Sequence, residues 1–130
     1  MIKPDFYLEE INPECIINNL SRLTDKPVII TENGCCCDND DLRIAFISVY
    51  LSAIREAIDL GIDVRGYLYW SMLDNYEWYS FKPKFGLYNV DFKTFERTPK
   101  PSAYFYRDVI ANNGVSQKTL RKYLKENPRV

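Results

Sequence analysis

The sequence predicts an α/β fold, on three observations. Two short apolar runs rich in β-branched and aromatic residues, Val-Ile-Ile-Thr at 28–31 and Val-Arg-Gly-Tyr-Leu-Tyr-Trp at 64–70, have the length and composition of buried strands. Between them Leu42, Ala45, Phe46, Val49, Ala53, Ile54, Ala57 and Ile58 recur at helical spacing over a segment of about twenty residues. A strand, a helix of that length and a second strand make a right-handed crossover, which sets the two strands parallel.

Each element has its own punctuation. Asn12-Pro13 reads as an N-cap followed by proline at the first helical position, opening a helix through about Leu23 with Ile16, Ile17 and Leu20 inward. The strand over 28–31 follows. After a cysteine-rich turn, Asp40 or Asp41 caps the long helix, and Gly61 stops it. The second strand, 64–70, runs into a long loop dense in aromatic rings. Phe85-Gly-Leu-Tyr-Asn-Val-Asp91 alternates enough for a short extended segment leading into a turn near Lys93-Thr94. Pro99 and Pro101 start a further helix through Ile110, Asn112-Asn-Gly114 breaks it, and Ser116 caps a polar terminal helix over 117–125. The coarse order is helix, strand, helix, strand, helix, with no internal repeat or low-complexity linker.

Composition narrows the function classes. A chain of 130 residues, 46% apolar and 15% aromatic, is that of a folded protein. Its net charge of −1, with acids and bases interspersed, offers no footprint for nucleic acid or an anionic membrane, and neither is expected as a partner. No apolar run approaches the ~20 residues of a transmembrane helix, and the start, Met-Ile-Lys-Pro-Asp-Phe, lacks a signal-peptide core. A cytoplasmic location is expected by default; for the tail of a longer product, this N-terminus carries no information on the parent's targeting. Cys15 and the consecutive Cys35, Cys36 and Cys37 form no C-x2-C pair and have no histidine beside them, so a tetrahedral zinc site lacks ligands and geometry. No metal and no cofactor is expected, and the cysteines read as loop thiols of a reducing compartment. The absence of any histidine removes Ser-His and Cys-His chemistry and leaves carboxylates as the acid and base groups.

Glu32 follows the first apolar run directly. Taken alone it reads first as an exposed strand-end glutamate or a helix-cap acid, and only second as a catalytic acid at the mouth of a buried parallel strand. Trp70, Glu77, Trp78 and Phe85 form the second group. Rings near a strand end often do no more than pack a core, but the interleaved Asp74 and Glu77 are costly to bury among rings unless a ligand or hydrogen bonds satisfy them.

Thr31-Glu32-Asn33-Gly34 after Val-Ile-Ile, and the stretch from Gly66-Tyr67 through Trp70, Glu77 and Trp78, together resemble the C-terminal quarter of glycoside hydrolase family 1. These are retaining β-glucosidases and β-galactosidases built on a (β/α)8 TIM barrel. Asp41-Leu-Arg43, Phe85-Gly-Leu87, Val90-Asp91 and Pro101-Ser-Ala103 extend the resemblance to residues 13–110. It implies that 1–112 form the C-terminal portion of such a barrel, about the last two βα units (strands seven and eight with flanking helices), and 113–130 a polar C-terminal helix or tail. A complete barrel needs about 250 residues, so it is incomplete in this chain. By the same resemblance the substrate is a β-linked sugar and Glu32 is the nucleophile that attacks its anomeric carbon. Trp70 is then the platform for the sugar ring, Glu77 accepts hydrogen bonds from two hydroxyls, the Trp78 indole N–H meets a third, and Phe85 lines the same subsite.

Departures from the family pattern fall elsewhere. The loop after Gly34 is short, Tyr50 stands where histidine is common, Ser80-Phe81 replaces a frequent Gly-Tyr and Lys84 a frequent Arg, which bear on the substrate entrance more than on the glycone end. Relatives acting on 6-phosphorylated sugars replace the Glu-Trp pair, which here stands intact as Glu77-Trp78, so an unphosphorylated glycone is expected. The family's acid/base motif, Thr-x-Asn-Glu-Pro, does not occur in these residues; Glu126-Asn-Pro128 is reversed. The chain alone is therefore expected to be inactive, needing a complementary N-terminal barrel chain or self-association to cover its edges. The alternatives are a stand-alone carbohydrate-binding or assembly module, and a remnant with no function.

Overall fold

A computed structural model describes residues 25–124, together with Asn18 and Asn19. Strand β1 (Val28–Asn33) pairs in parallel with β2 (Val64–Tyr69), and helix α1 (Asp40–Asp59) crosses between them, as the α/β reading requires. A short hairpin, β3 (Tyr88–Val90) and β4 (Arg97–Pro99), precedes α2 (Pro101–Ala111) and α3 (Gln117–Tyr123). The described residues contain two two-stranded sheets and no closed barrel. The first predicted helix lies outside them, except that Asn18 and Asn19 are helical.

The N-cap of α1 corrects the sequence reading. The cap is Asn39, whose side chain accepts from the Asp41 amide at 3.0 Å, and neither Asp40 nor Asp41 serves. Asp40 is thereby free for other work. Its carboxylate accepts from the Ser102 amide at 2.7 Å and hydroxyl at 2.8 Å, and from the guanidinium of Arg43. Helix α2 has Lys100 at its own N-cap with no side-chain cap bond, so the anion that its exposed amides attract comes from α1. Arg43, fully buried, also donates to the carbonyls of Cys37 and Lys84 at 2.5 and 2.7 Å. One buried ion pair thus ties together the start of two helices and two loops.

Both helix ends that the sequence marked follow a Schellman pattern. At Gly61, φ is +92°, its amide reaches the Ile58 carbonyl, and the Ile62 amide reaches Ala57. After α2, Asn113 takes the left-handed position at φ 48°, with Gly114 bonded back to Val109. Ser116 caps α3 by accepting from the Thr119 amide at 3.1 Å. The extended segment expected within 85–91 is β3. Its return strand β4 is an addition to the sequence reading: three residues ending in proline give almost no strand signal, and proline is tolerated there because β4 is an edge. The turn expected near Lys93-Thr94 is present, both amides bonded to the Asp91 carboxylate, which holds that carboxyl below its usual value.

The core lies between the helices and one face of the sheet. Ile44, Phe46 and Ile47 of α1 meet Tyr69, Leu87, Phe105, Val109 and Leu124. The strands' other face is open: Ile29 is 58% exposed, Leu68 54% and Met72, just past β2, 67%.

Candidate active site

The C-terminal ends of β1 and β2 lie side by side. The pairing is irregular there: between Ile30↔Tyr67 and Asn33↔Tyr69, three steps along β1 face two along β2. The extra residue breaks the alternation, so Thr31 and Glu32 are both exposed in succession. Bulges recur beside functional sites because they re-aim one side chain without ending the strand. Asn33 then restores the pairing, its carbonyl accepting from the Trp70 amide at 2.9 Å and its side chain from the Tyr67 hydroxyl at 2.9 Å. Gly34 fixes the approach of the two strand ends, since a Cβ there would lie 1.7 Å from the Trp70 carbonyl oxygen.

Beyond a cis Trp70–Ser71 peptide, the loop returns to the sheet through Asp74. Asp74 is 2% exposed and accepts from the Gly86 amide at 2.8 Å and from Lys100 at 3.0 Å, with Lys84 at 3.4 Å on its other oxygen. Burial lowers the Lys100 pKa, and the bond to Asp74 offsets part of that. Of the two ways to satisfy a buried Asp74, a ligand or hydrogen bonds, the protein supplies hydrogen bonds at Oδ1, while Oδ2 has no hydrogen-bond partner and only the Lys84 ammonium beside it. Asp74 is a fold-holding residue. The signal that separates it from Glu77 lies in Lys84 and Lys100, and the tie from Asp40 to Ser102 and from Arg43 to the Lys84 carbonyl is likewise hidden by distance along the chain.

Glu77 is placed differently. Its Oε1 accepts from the Trp70 indole at 2.8 Å, so the two side chains are joined across the loop. Glu77 and Ser80 exchange both backbone hydrogen bonds, at 2.8 and 3.0 Å, around a two-residue turn of Trp78 and Tyr79. Both turn residues have positive φ, 50° and 64°, the signature of a type I′ turn. Trp78 is 82% exposed at its tip and is not drawn into the Trp70–Glu77 pair. The carbonyl of Phe85 accepts from the Tyr69 hydroxyl at 3.1 Å and the Ser71 amide at 3.3 Å, which keeps this half-buried ring beside the same strand end. Of the five predicted residues, Trp70, Glu77 and Phe85 gather at the end of β2, Glu32 stands at the adjacent end of β1, and Trp78 projects beyond them.

A separate concavity lies away from these residues. An open groove of about 630 Å³ runs between α1 and α2, lined by Leu51, Ile54, Ile58, Tyr67, Tyr106 and Ile110 among others, and contains none of the five. Among the described residues no cluster of His, Cys, Asp and Glu is placed to hold a metal ion, and no helix is long and apolar enough to cross a membrane.

Side chains gathered at the C-terminal ends of neighbouring parallel strands are how the active faces of α/β barrels are built. Solved barrels of that kind superpose on this chain. The β-glycosidase from Pyrococcus horikoshii does so with a TM-score of 0.81 at 40% identity, covering 92% of this chain and 28% of that one. The chain belongs to glycosyl hydrolase family 1, whose sequence model matches residues 10–115. It is 39% identical over 101 residues to the β-galactosidase of Pyrococcus woesei, which covers 76% of this chain and 20% of that protein. It is 42% identical over 104 residues to β-glucosidase 47 of Arabidopsis thaliana, covering 75% of this chain and 19% of the relative. It spans about a fifth of the length of these relatives.

Proposed function

We propose that this chain is the sugar-facing C-terminal portion of a retaining β-glycosidase that hydrolyses β-glucosides or β-galactosides. The observation that carries the proposal is the juxtaposition at the strand ends: Glu32 lies at the end of β1, and the Trp70–Glu77 pair lies in the loop leaving β2, tied to β1 by the bond from the Trp70 amide to the Asn33 carbonyl. In this reading the Glu32 carboxylate attacks the anomeric carbon while the bond to the leaving oxygen breaks, forming a glycosyl ester. A carboxylate suits that step because it stabilises the oxocarbenium-like transition state. Water then releases the sugar and restores the carboxylate. Trp70 offers its face to the apolar side of the ring, Glu77 and Trp78 hold hydroxyls, and Phe85 closes the subsite.

The acid that protonates the leaving group comes from outside these residues. Retaining hydrolysis needs two carboxyl groups about 5–5.5 Å apart. Glu77 does not supply the second, since its proposed task is to hold the glycone. The chain alone is then inactive on unactivated β-glucosides, and gains activity when a partner bearing the earlier barrel strands completes the walls.

The test is reconstitution. The N-terminal portion of a family 1 barrel, lacking its last quarter, is mixed with this chain and assayed on an aryl β-glucoside and on cellobiose. Activity that appears only in the mixture and is lost in Glu32→Gln is the expected result. Turnover of cellobiose by the pure chain, abolished by Glu32→Gln, would overturn the division of labour; sugar binding without any turnover in the mixture would favour a binding module.

A further inference from the structure

The cysteine run leaving β1 contains a pair that the glycosidase reading does not use. Cys35 and Cys37, both half-buried, have their sulfurs 3.5 Å apart and hydrogen-bonded, while Cys36 between them is exposed. Residues two apart span at most about 7 Å even when extended, close to the upper limit of Cα separation that a disulfide bridges. Closing the bond asks each sulfur to move by less than about 1 Å, since a disulfide is about 2.05 Å long. The backbone of this loop is already fixed. Arg43 holds the Cys37 carbonyl, the Cys37 amide bonds the Lys84 carbonyl at 3.1 Å, and Gly34 packs on the Trp70 carbonyl.

We propose that Cys35 and Cys37 are a dithiol site that exchanges with a low-molecular-weight disulfide and closes to an intrachain Cys35–Cys37 bond. The two thiols are not equivalent. The hydrogen bond from Cys35 lowers the Cys37 pKa; burial opposes this and the Arg43 charge adds to it. The same bond, with burial, raises Cys35. Cys37 is thus the attacking thiolate and Cys35 the resolving thiol. Cys37 attacks one sulfur of the external disulfide, forming a mixed disulfide and expelling one thiolate. Cys35 then gives up its proton and attacks the Cys37 sulfur, expelling the second. Two protein thiols become one disulfide, and the reagent disulfide is reduced to two thiols. The inference needs only the loop geometry and stands apart from the proposed sugar chemistry.

The experiment treats the full, reduced chain with oxidised glutathione under native conditions, alkylates the remaining thiols, and reads intact mass and peptide maps. Two of the four thiols are expected to be lost with no glutathione retained, Cys35 linked to Cys37, and Cys15 and Cys36 alkylated. Cys36→Ser should lose two thiols as before. Cys35→Ser should stop at glutathione on Cys37 and form no intrachain bond. Glutathione retained on unmutated chain, or a link through Cys15 or Cys36, would refute the assignment. Repeating the treatment in urea guards against a local-sequence artefact: the same selectivity there shows that the fold contributes nothing and also refutes it. Because the primary map is read on the unmutated chain, a variant that fails to fold does not leave the question open.

Discussion

Trp78 and Tyr79 occupy backbone positions that hairpins ordinarily give to asparagine and glycine. A non-glycine residue held at positive φ costs about 1–3 kcal/mol, and here two large aromatic residues stand in succession at the turn. Exposed as they are, they recover little of that cost by packing. Replacing the pair (Trp78→Asn with Tyr79→Gly) should stabilise the chain by about 1–2 kcal/mol, read as a raised urea midpoint at fixed protein concentration. On the proposed assignment the same variant weakens glycone binding in the reconstituted enzyme, so stability and affinity move in opposite directions. Asp74 behaves in the other way. Asp74→Asn leaves Lys84 and Lys100 facing a neutral group in a buried setting, and should cost about 3 kcal/mol of stability. An unchanged urea midpoint would remove the scaffolding role given to it. At this scale an apolar run that stops on Glu32 marks it as a strand-end acid, and its catalytic role is what the family resemblance implies. The sequence does not separate Asp74 from Glu77, since three positions of spacing say nothing about which acid meets a lysine or an amide from far along the chain.

Among elements, α2 and α3 are joined by one carboxylate. Asp108 accepts from Lys122 and Tyr123 at 2.6 Å each and from Arg107 at 2.9 Å, and these bonds, Lys122 foremost, pull its pKa well below the ordinary 3.8. The sign follows from the direction. The unfolded chain takes up this proton at higher pH than the folded one, so the contribution is complete above about pH 4 and is lost as pH falls through the folded value. Amide exchange across 117–123, compared at pH 6 and pH 3, should accelerate in the acid sample beyond the intrinsic change. Asp108→Asn should show the looser behaviour already at pH 6. Equal protection of α3 in the variant and the parent at pH 6 would count against this tie. The helices were legible from periodicity and from Gly61, Asn113 and Ser116, because their caps are local. The cap of α2 was not, since it is lent by Asp40, and β4 was hidden by its brevity and its proline.

At the scale of the whole molecule, β1 and β2 form a sheet in which each strand has one neighbour among the described residues. Unpaired strand edges beside the exposed Ile29, Leu68 and Met72 are a template for association. The isolated chain is expected to scatter light as oligomers or aggregates, and the N-terminal barrel portion of the reconstitution experiment should convert it into a defined two-chain complex. A monomer that melts cooperatively would point instead to an independent fold. The α/β class was legible from one crossover, whereas closure was not, because it depends on strands that these residues do not include. The crossover also has a consequence for descent. Glu32, Trp70, Glu77 and Phe85 fall on one unbroken stretch, from β1 to the loop before β3. On the proposed assignment, a single exchange of coding sequence carries the whole sugar-gripping set into a new gene and leaves the leaving-group acid behind. Preference for the sugar and preference for what it is attached to are then separately heritable.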